Sequence, residues 1–196
     1  MIELSKRNKK ILEDLKRFQP DTYAHSIRVK RYVLELLFYL NSIGRTAYTQ
    51  REIDLICEGA MLHDVGKMKT ENHILTKEGA LDPEERAHMA LHGREGSLMV
   101  QPGLRTEDET EIVMAICARH HDKIKSCAPE DSSDPPLYVQ IVSICDAYDA
   151  LCSKRYYHME RTPMQALEMI RDGKCGLFSA QLVQDLAEAQ KRSGRL

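Results

Sequence analysis

The stretch Gly59-Ala60-Met61-Leu62-His63-Asp64-Val65-Gly66-Lys67 closes an apolar helical pattern with a histidine, an aspartate and a lysine. His63 and Asp64 are adjacent, and imidazole and carboxylate groups are both good ligands for divalent cations. Lys67 follows about one turn later and adds a positive charge that could meet a phosphate. The stretch therefore predicts a cation site at the end of a helix.

Length and composition indicate a single globular domain over residues 1–196. A hydrophobic content of 42% is enough for a core in a chain of this length. The net charge of -2 gives no reason to expect a nucleic-acid partner. The sequence has no stretch suited to membrane insertion and no signal peptide, so we expect a cytoplasmic protein.

The cysteines favour a reducing compartment over a disulfide framework. None belongs to a Cys-x-x-Cys pair, and four lie inside apolar helical patterns. We interpret them as small buried hydrophobic residues. The six residues are Cys57, Cys117, Cys127, Cys145, Cys152 and Cys175.

Apolar residues recur with a helical period along nearly the whole chain, which predicts an all-α protein. Thr49 and Glu52 form a predicted capping box, and Asp82 with Pro83 marks another helix start. The predicted helices span residues 4–18, 21–41, 49–63, 82–100, 106–121, 137–151, 163–171 and 179–191. We expect loops at residues 66–81 and 123–136, and a strand is the alternative for the apolar segment 137–151.

Histidines and aspartates recur at or near the predicted helix ends. No single one of them would be significant, but their joint pattern is. The candidate ligands are Asp21, His25, His63, Asp64, His92, His120, His121 and Asp146. A mixed set of imidazoles and carboxylates without thiolates suits Fe, Mn, Zn or similar ions. Seven or eight ligands are too many for one ion, but they suit two ions that share a carboxylate, an arrangement used in phosphoryl chemistry.

Two further residues are candidates for supporting roles. His88 lies one turn before His92 and could orient that ligand. Asp149 lies three residues after Asp146, and we expect it to support its helix or a neighbour instead of binding metal.

These residues resemble the signature of the HD-domain metal-dependent phosphohydrolases. His25, His63-Asp64 and Asp146 match its four points. His92 and the pair His120-His121 match the additional histidines of the HD-GYP branch, whose known members hydrolyse cyclic di-GMP. The segment Ile144 to Tyr157 also resembles the branch's Asp-x-Tyr-Asp-Ala-Leu...Arg-x-Tyr run. The chain departs from the branch after His121, because the usual Gly-Tyr-Pro motif is missing from Asp122 to Pro129.

The resemblance implies an HD-domain bundle of about seven to eight helices around a metal site. It covers the chain from about residue 21 onward and leaves residues 1–19 as an additional N-terminal helix, whose apolar stripe could pack on a partner. A homodimer or a signalling partner is therefore one expectation.

The resemblance also implies a cyclic di-GMP phosphodiesterase that uses a metal-activated water. Its metal ligands would be His25, His63, Asp64, His92, His120, His121 and Asp146. Asp64 would bridge two divalent transition metal ions, Fe or Mn by preference, with Zn, Ni, Co and Mg as alternatives. Asp21 resembles a position that helps to hold a third metal in some relatives, but its short side chain favours two ions.

Substrate contacts are expected from two cationic residues. Lys67 would contact the scissile phosphate or the water, and Arg155 would hold the other phosphate through paired hydrogen bonds. Because the loop after His121 is altered, two alternatives stay open. One is a phosphohydrolase for another nucleotide or phosphoester, and the other is a catalytically silent module that binds a nucleotide or a protein partner.

Overall fold

The computed structural model describes residues 4–104, 106–124, 134–153 and 161–196, and within these ranges the protein is all-helical. Two 3-10 helices, Val65–Lys69 and Gln101–Gly103, accompany the α-helices. The α-helices are α1 (Lys6–Phe18), α2 (Pro20–Ser42), α3 (Gln50–Leu62), α4 (Asn72–Leu75), α5 (Pro83–Ala90), α6 (His92–Val100), α7 (Glu107–Arg119), α8 (Leu137–Cys152), α9 (Pro163–Arg171) and α10 (Ala180–Arg192). The all-α prediction is confirmed.

Local sequence signals start most of these helices. Thr49 and Glu52 form the predicted capping box at α3, and Asp82 forms another with Glu85 at α5. Each box satisfies backbone N–H groups that the first helical turn leaves free. Pro20 begins α2, where its missing N–H costs no helical hydrogen bond.

The larger of two core clusters surrounds α2 and α8. Ile141, Ile144 and Cys145 of α8 are fully buried among residues of α2, α3, α9 and α10. The segment that could have been a strand is therefore a central helix, and its apolar character reflects contact with neighbours on several sides. The two helices also hold His25 and Asp146 at fixed positions inside the bundle.

The smaller core cluster includes α1, which packs on its own domain. Ile11, Leu12 and Leu15 of α1 are buried against residues of α3, α7 and the first 3-10 helix. The expectation that this apolar stripe could pack on a partner was therefore wrong. The apolar stripe of α1 thus packs on the domain around the C-terminal half of α3.

Two expected boundaries differ from the observed ones. The single helix expected at residues 82–100 is divided at Leu91, and the expected loop at 66–81 contains the first 3-10 helix and α4. The backbone at Gly66 packs closely against the backbone at His92 here. A Cβ on Gly66 would lie 1.9 Å from the carbonyl oxygen of His92. The residue at the break, Leu91, is neither a glycine nor a proline, so its residue type does not indicate the end of a helix.

Cys57, Cys117 and Cys145 are buried free thiols as expected, Cys175 is a half-buried free thiol, and Cys152 is half-buried. Cys127 lies outside the described residues. Among the helices that the structure describes, none has both the length and the apolar character needed to cross a bilayer.

Candidate metal centre

The seven expected ligands meet where α2, α3, α6, α7 and α8 converge. His25 comes from α2 and Asp146 from α8, while His63 is the C-cap of α3 and Asp64 follows it. His92 begins α6, and His120 and His121 follow α7. Helix ends thus supply most of the ligands, which leaves their side chains free to point into one space. Within the described residues, three groups of possible ligands each bring their atoms within 4.8 Å of one another.

The two oxygens of Asp64 face different histidines. Oδ2 lies 3.8 Å from Nε2 of His25 and 3.5 Å from Nε2 of His63. Oδ1 lies 3.3 Å from Nε2 of His92 and 3.8 Å from Nε2 of His120. Because Asp64 is almost completely buried, this orientation is fixed by packing. The carboxylate can therefore contribute to two neighbouring positions at once.

Asp146 completes the side that contains His25 and His63, which we call the α2 side. Its Oδ1 lies 3.0 Å from Nε2 of His25 and 3.9 Å from Nε2 of His63. Two imidazole nitrogens and oxygens from two carboxylates therefore surround one space. This donor set suits Fe, Mn or Zn.

His92, His120 and His121 form the other side, which we call the α7 side. Nε2 of His92 lies 3.2 Å from Nε2 of His120 and 3.1 Å from Nε2 of His121. Asp64 supplies the carboxylate on this side as well, through Oδ1. The donor set is three imidazoles and one carboxylate.

Backbone carbonyl groups determine which nitrogen faces the centre. Nδ1 of His63 donates to Ala60 O at 2.8 Å, Nδ1 of His92 to Met89 O at 2.6 Å, and Nδ1 of His120 to Cys117 O at 3.0 Å. In a neutral ring that donates from Nδ1, Nε2 carries a lone pair. Two such lone pairs, on His92 and His120, therefore face each other with no proton between them.

Unpartnered buried atoms give a direct test of whether these residues fit a metal. Among the described residues, Nε2 of His63 and Oδ1 of Asp64 are buried without a hydrogen-bond partner. Leaving such groups unpaired costs about 1–3 kcal/mol each. A cation would satisfy both atoms and would relieve the repulsion between the facing nitrogens. The residues present therefore fit divalent metal ions on both sides of Asp64.

Charge distribution separates the two sides. Burial by itself would lower the pKa of His25, but its hydrogen bonds to Asp146 and Asp149 outweigh burial and raise the pKa to about 9. Burial lowers the pKa of His121 to about 4 and also lowers that of His120. The rings of His120 and His121 are therefore neutral at pH 7, which is the form that binds metal. On the α2 side, a bound ion must displace the proton from His25.

The Asp64 carboxylate is held in its charged form. Burial by itself would raise its pKa, but the nearby ammonium of Lys67 and the adjoining His63 ring outweigh burial and hold the pKa well below its usual range. Nζ of Lys67 donates to Oδ2 of Asp64 at 2.5 Å. Lys67 was expected to contact substrate, and here it is bound to the central carboxylate.

Asp149 has a larger role than its sequence position indicated. Its Oδ2 accepts a 2.7 Å hydrogen bond from Nδ1 of His25, and its two oxygens accept bonds of 2.7 and 2.9 Å from Arg28. Asp149 thus fixes the His25 ring as a carboxylate behind a metal-binding histidine does. The expected supporting role is confirmed in kind, but the contact with His25 joins α8 to α2, and no residue spacing could have shown that. Arg28 was not singled out at all.

Two other candidates, Asp21 and His88, do not take the roles expected of them. Asp21 is exposed and belongs to none of the ligand groups among the described residues. His88 does not orient His92, because Nδ1 of His92 bonds to the Met89 carbonyl. Arg155 lies outside the described residues.

A cavity of about 180 Å³ adjoins the α7 side. It is lined by Gly66, Lys69, Thr70, His88, Leu91, His92 and Glu95. His92 belongs to both the cavity wall and the ligand cluster, so this space lies directly beside the centre.

Comparison with known families and proteins places this site in a wider group. Residues 22–151 match the HD domain family. Over 180 residues the chain is 29% identical to a cyclic di-GMP phosphodiesterase of Vibrio cholerae, which covers 88% of this chain and 37% of the relative. Over 195 residues it is 30% identical to the 3'3'-cGAMP-specific phosphodiesterase 2 of the same organism, which covers 96% of this chain and 36% of the relative. The chain thus spans little more than a third of the length of these relatives.

Solved structures show the same fold. Bd1817, an HDG"Y"P protein from Bdellovibrio bacteriovorus, aligns with a TM-score of 0.64 at 18% identity over 94% of this chain and 62% of its own. The HD domain of the L. monocytogenes phosphodiesterase PgpH in complex with cyclic-di-AMP aligns with a TM-score of 0.61 at 17% identity, over 93% of this chain and 95% of its own. The resemblance expected from the sequence is confirmed.

Proposed function

The chain belongs to the HD domain family, and from this premise we propose that it is a metal-dependent phosphodiesterase that hydrolyses cyclic dinucleotides. The observation that carries the proposal is the division of the Asp64 oxygens between two sets of histidines. One carboxylate shared between two neighbouring cation positions suits the two-metal sites that many phosphoryl-transfer enzymes use.

The metal ligands follow from the two sides of the centre. His25, His63, Asp64 and Asp146 would hold one ion, and Asp64, His92, His120 and His121 would hold the other. When bound, two divalent ions supply charge neutralisation for the phosphate and a water of lowered pKa. Fe or Mn fits the mixed imidazole and carboxylate donors, and the other first-row ions and Mg are alternatives.

The remaining residues act by orienting groups and by carrying charge. Asp149 fixes the His25 ring so that Nε2 faces the centre, and Arg28 holds Asp149. Lys67 keeps Asp64 ionised, because its ammonium lies against Oδ2. The same ammonium can move from Asp64 to a phosphate oxygen once an ion takes its place on that carboxylate. Arg155 remains the proposed contact for the second phosphate.

Cyclic di-GMP is the first substrate to test. A relative in V. cholerae bears the name of that activity, and a second bears the name of a 3'3'-cGAMP phosphodiesterase. Both are cyclic dinucleotides, so they share the phosphodiester linkage that the centre would cleave. Because the Gly-Tyr-Pro motif is missing, a different nucleotide or phosphoester is the second candidate.

The test is to load the purified protein with Mn²⁺ or Fe²⁺ under low oxygen, to measure the ions bound per chain, and then to offer cyclic di-GMP. We expect a linear dinucleotide, detected by chromatography, and no product from Asp64→Ala. Parallel reactions with 3'3'-cGAMP, cyclic-di-AMP and nucleoside monophosphates define the substrate range. Two bound ions without turnover of any phosphoester would favour a silent binding module and contradict the proposal.

We also propose a cytoplasmic location for this protein. The free thiols of Cys57, Cys117 and Cys145 suit a reducing cytoplasm. A homodimer or a signalling partner stays a prediction, and size measurement in solution would test it.

A further inference from the structure

His121 is oriented differently from the other four histidines of the centre. Nδ1 of His25 is bonded to Asp149, and Nδ1 of His63, His92 and His120 is bonded to backbone carbonyls. Within the described residues, His121 has no such bond on its second ring nitrogen. Its orientation therefore depends on the path of the backbone that carries it.

That backbone has already left the helix. α7 ends at Arg119, His120 is its C-cap, and the amide of Asp122 donates to the Arg119 carbonyl at 2.8 Å. No helical ladder holds the chain beyond this turn. A ring on such a segment would sample several positions unless the residues that follow are anchored.

Lys123 provides an anchor two residues after His121. Its ammonium donates to Oγ of Ser143 on α8 and lies 4.7 Å from the ring centroid of Phe178, which precedes α10. Ile124 follows and is buried. Lysine and isoleucine together thus fix the chain where it leaves the double histidine.

The turn between α9 and α10 is shaped around the lysine stem. Gly176 has φ +91, and a Cβ on it would lie 2.7 Å from Cγ and 3.1 Å from Cδ of Lys123. Glycine is therefore needed both for this backbone conformation and for the room that the stem occupies. Both the side chain of Lys123 and the turn at Gly176 therefore contribute to this contact.

The anchor also shares a helix with a ligand of the opposite side. Ser143 lies three residues before Asp146 on α8, so both project from neighbouring positions on one face. The hydrogen bond from Lys123 to Ser143 therefore links the position of His121 to the helix that carries Asp146.

We propose that Lys123 is a positioning residue that holds His121 in place for the ion of the α7 side, through its contacts with Ser143, Gly176 and Phe178. The proposal rests on the two-ion centre proposed above. It assigns a role to Lys123, which lies in the described start of the stretch where the family's Gly-Tyr-Pro motif is missing.

The experiment measures ion affinities in the absence of substrate. His121→Gln first identifies the ion that depends on His121. Lys123→Met, which keeps most of the stem and removes the ammonium, should weaken the same ion about 10–100-fold, as loss of a partner behind a ligand commonly does. The ion held by His25, His63 and Asp146 should keep its affinity. Lys123→Arg should retain much of the wild-type value, because it keeps a donor and a cation.

Two further variants make the result specific. Ser143→Ala removes only the acceptor and should weaken the same ion, so it carries the test if Lys123→Met does not fold. The double variant His121→Gln/Lys123→Met should bind that ion no more weakly than His121→Gln alone, since both changes act through one ligand. Lys10→Met, on the exposed face of α1, is the matched control and should change neither affinity.

Wild-type affinity for both ions in Lys123→Met or Ser143→Ala would overturn the proposal, and so would an equal loss of both ions. These outcomes are separate from the fate of the proposed function. A protein that hydrolyses no phosphoester can still lose this ion on Lys123→Met, and an active enzyme can keep it.

Discussion

Two buried polar clusters lie at different points along α3, and they differ in what they leave unsatisfied. Glu58, within the helix, accepts a 2.8 Å hydrogen bond from Nδ2 of Asn8 on α1. His63 and Asp64, at the end of the helix, direct unpartnered acceptor atoms into a shared space. The first cluster pairs one donor with one acceptor, which joins α1 to the domain, and it leaves a single neutral acceptor, Oδ1 of Asn8, unpartnered. In the second, Lys67 donates to one oxygen of Asp64, but Nε2 of His63 and the other oxygen of the charged carboxylate stay unpartnered, and a cation would satisfy both.

Burial of polar residues is therefore not in itself a mark of function. Glu58 and Asp64 are both buried carboxylates. Their neighbours differ in chemistry. Asn8 donates an N–H to Glu58, whereas histidine ring nitrogens that carry lone pairs face Asp64. Substitutions in each cluster, followed by measurements of metal binding and stability, test this difference between the clusters.

The largest effect is expected at Asp64. Asp64→Ala should abolish binding of both ions, because each side of the centre uses one of its oxygens. The metal content per chain, measured on protein loaded in the same way as wild type, reports the loss. Glu58→Ala is the matched control, since it removes a buried carboxylate from the helix that precedes Asp64 and should leave both ions bound. Retention of two ions by Asp64→Ala would show that the carboxylate is not shared.

Asp149 allows a more selective change. Asp149→Asn should weaken the ion of the α2 side about 10–100-fold, because His25 loses the carboxylate that orients it. The ion of the α7 side should be unaffected. Titration with each metal, followed by a spectroscopic signal from the ion, measures the two affinities.

Asp185 supplies the control for Asp149. It is also a buried carboxylate that accepts a bond from an arginine, Arg45, at 2.6 Å, but it contacts no histidine of the centre. Asp185→Asn should lower stability and leave metal binding unchanged. Equal effects of the two variants on metal affinity would mean that Asp149 acts through general stability alone.

The smallest effect is expected at Glu58, and it depends on pH. Burial raises the pKa of Glu58, and the hydrogen bond from Asn8 only partly opposes it. The folded protein therefore binds this proton more tightly than the unfolded chain, so stability is gained at low pH and lost as pH rises past the folded pKa. Relative to Glu58→Gln, which stays neutral and keeps an acceptor, wild type should lose stability as the pH rises from below 4.5, the ordinary pKa of a glutamate, through the raised pKa of the folded state.

Denaturant unfolding of both proteins at a series of pH values measures this difference. Glu58→Asp, which keeps an ionisable group, should preserve the pH dependence. A difference between wild type and Glu58→Gln that is constant over this range would show that Glu58 does not titrate differently in the folded and unfolded states.

Helix positions were largely predictable because they depend on local periodicity and capping. Thr49 with Glu52 and Asp82 with Pro83 mark helix starts that the structure contains. The break at Leu91 was missed, and it lies next to His92, whose backbone packs closely against Gly66. Such a contact joins residues that are distant in the chain and leaves no periodic signal.

The identity of the candidate ligands was available from residue type and order, but their grouping was not. His25, His63 and Asp146 could be named as ligands from the sequence, whereas the division of the Asp64 oxygens required coordinates. The roles of Arg28, Asp149 and Lys123 depend on contacts between α2 and α8, and between the end of α7 and α8.

By itself, the sequence determined an all-helical chain with a histidine and aspartate set suited to divalent metals, because residue type and helical period are local properties. The tertiary structure decided which nitrogen of each ring faces the centre, which carboxylate is shared and which side chains hold the ligands. These outcomes depend on packing between separate helices, where a difference of one or two ångströms determines whether an atom is a hydrogen-bond partner or a free ligand.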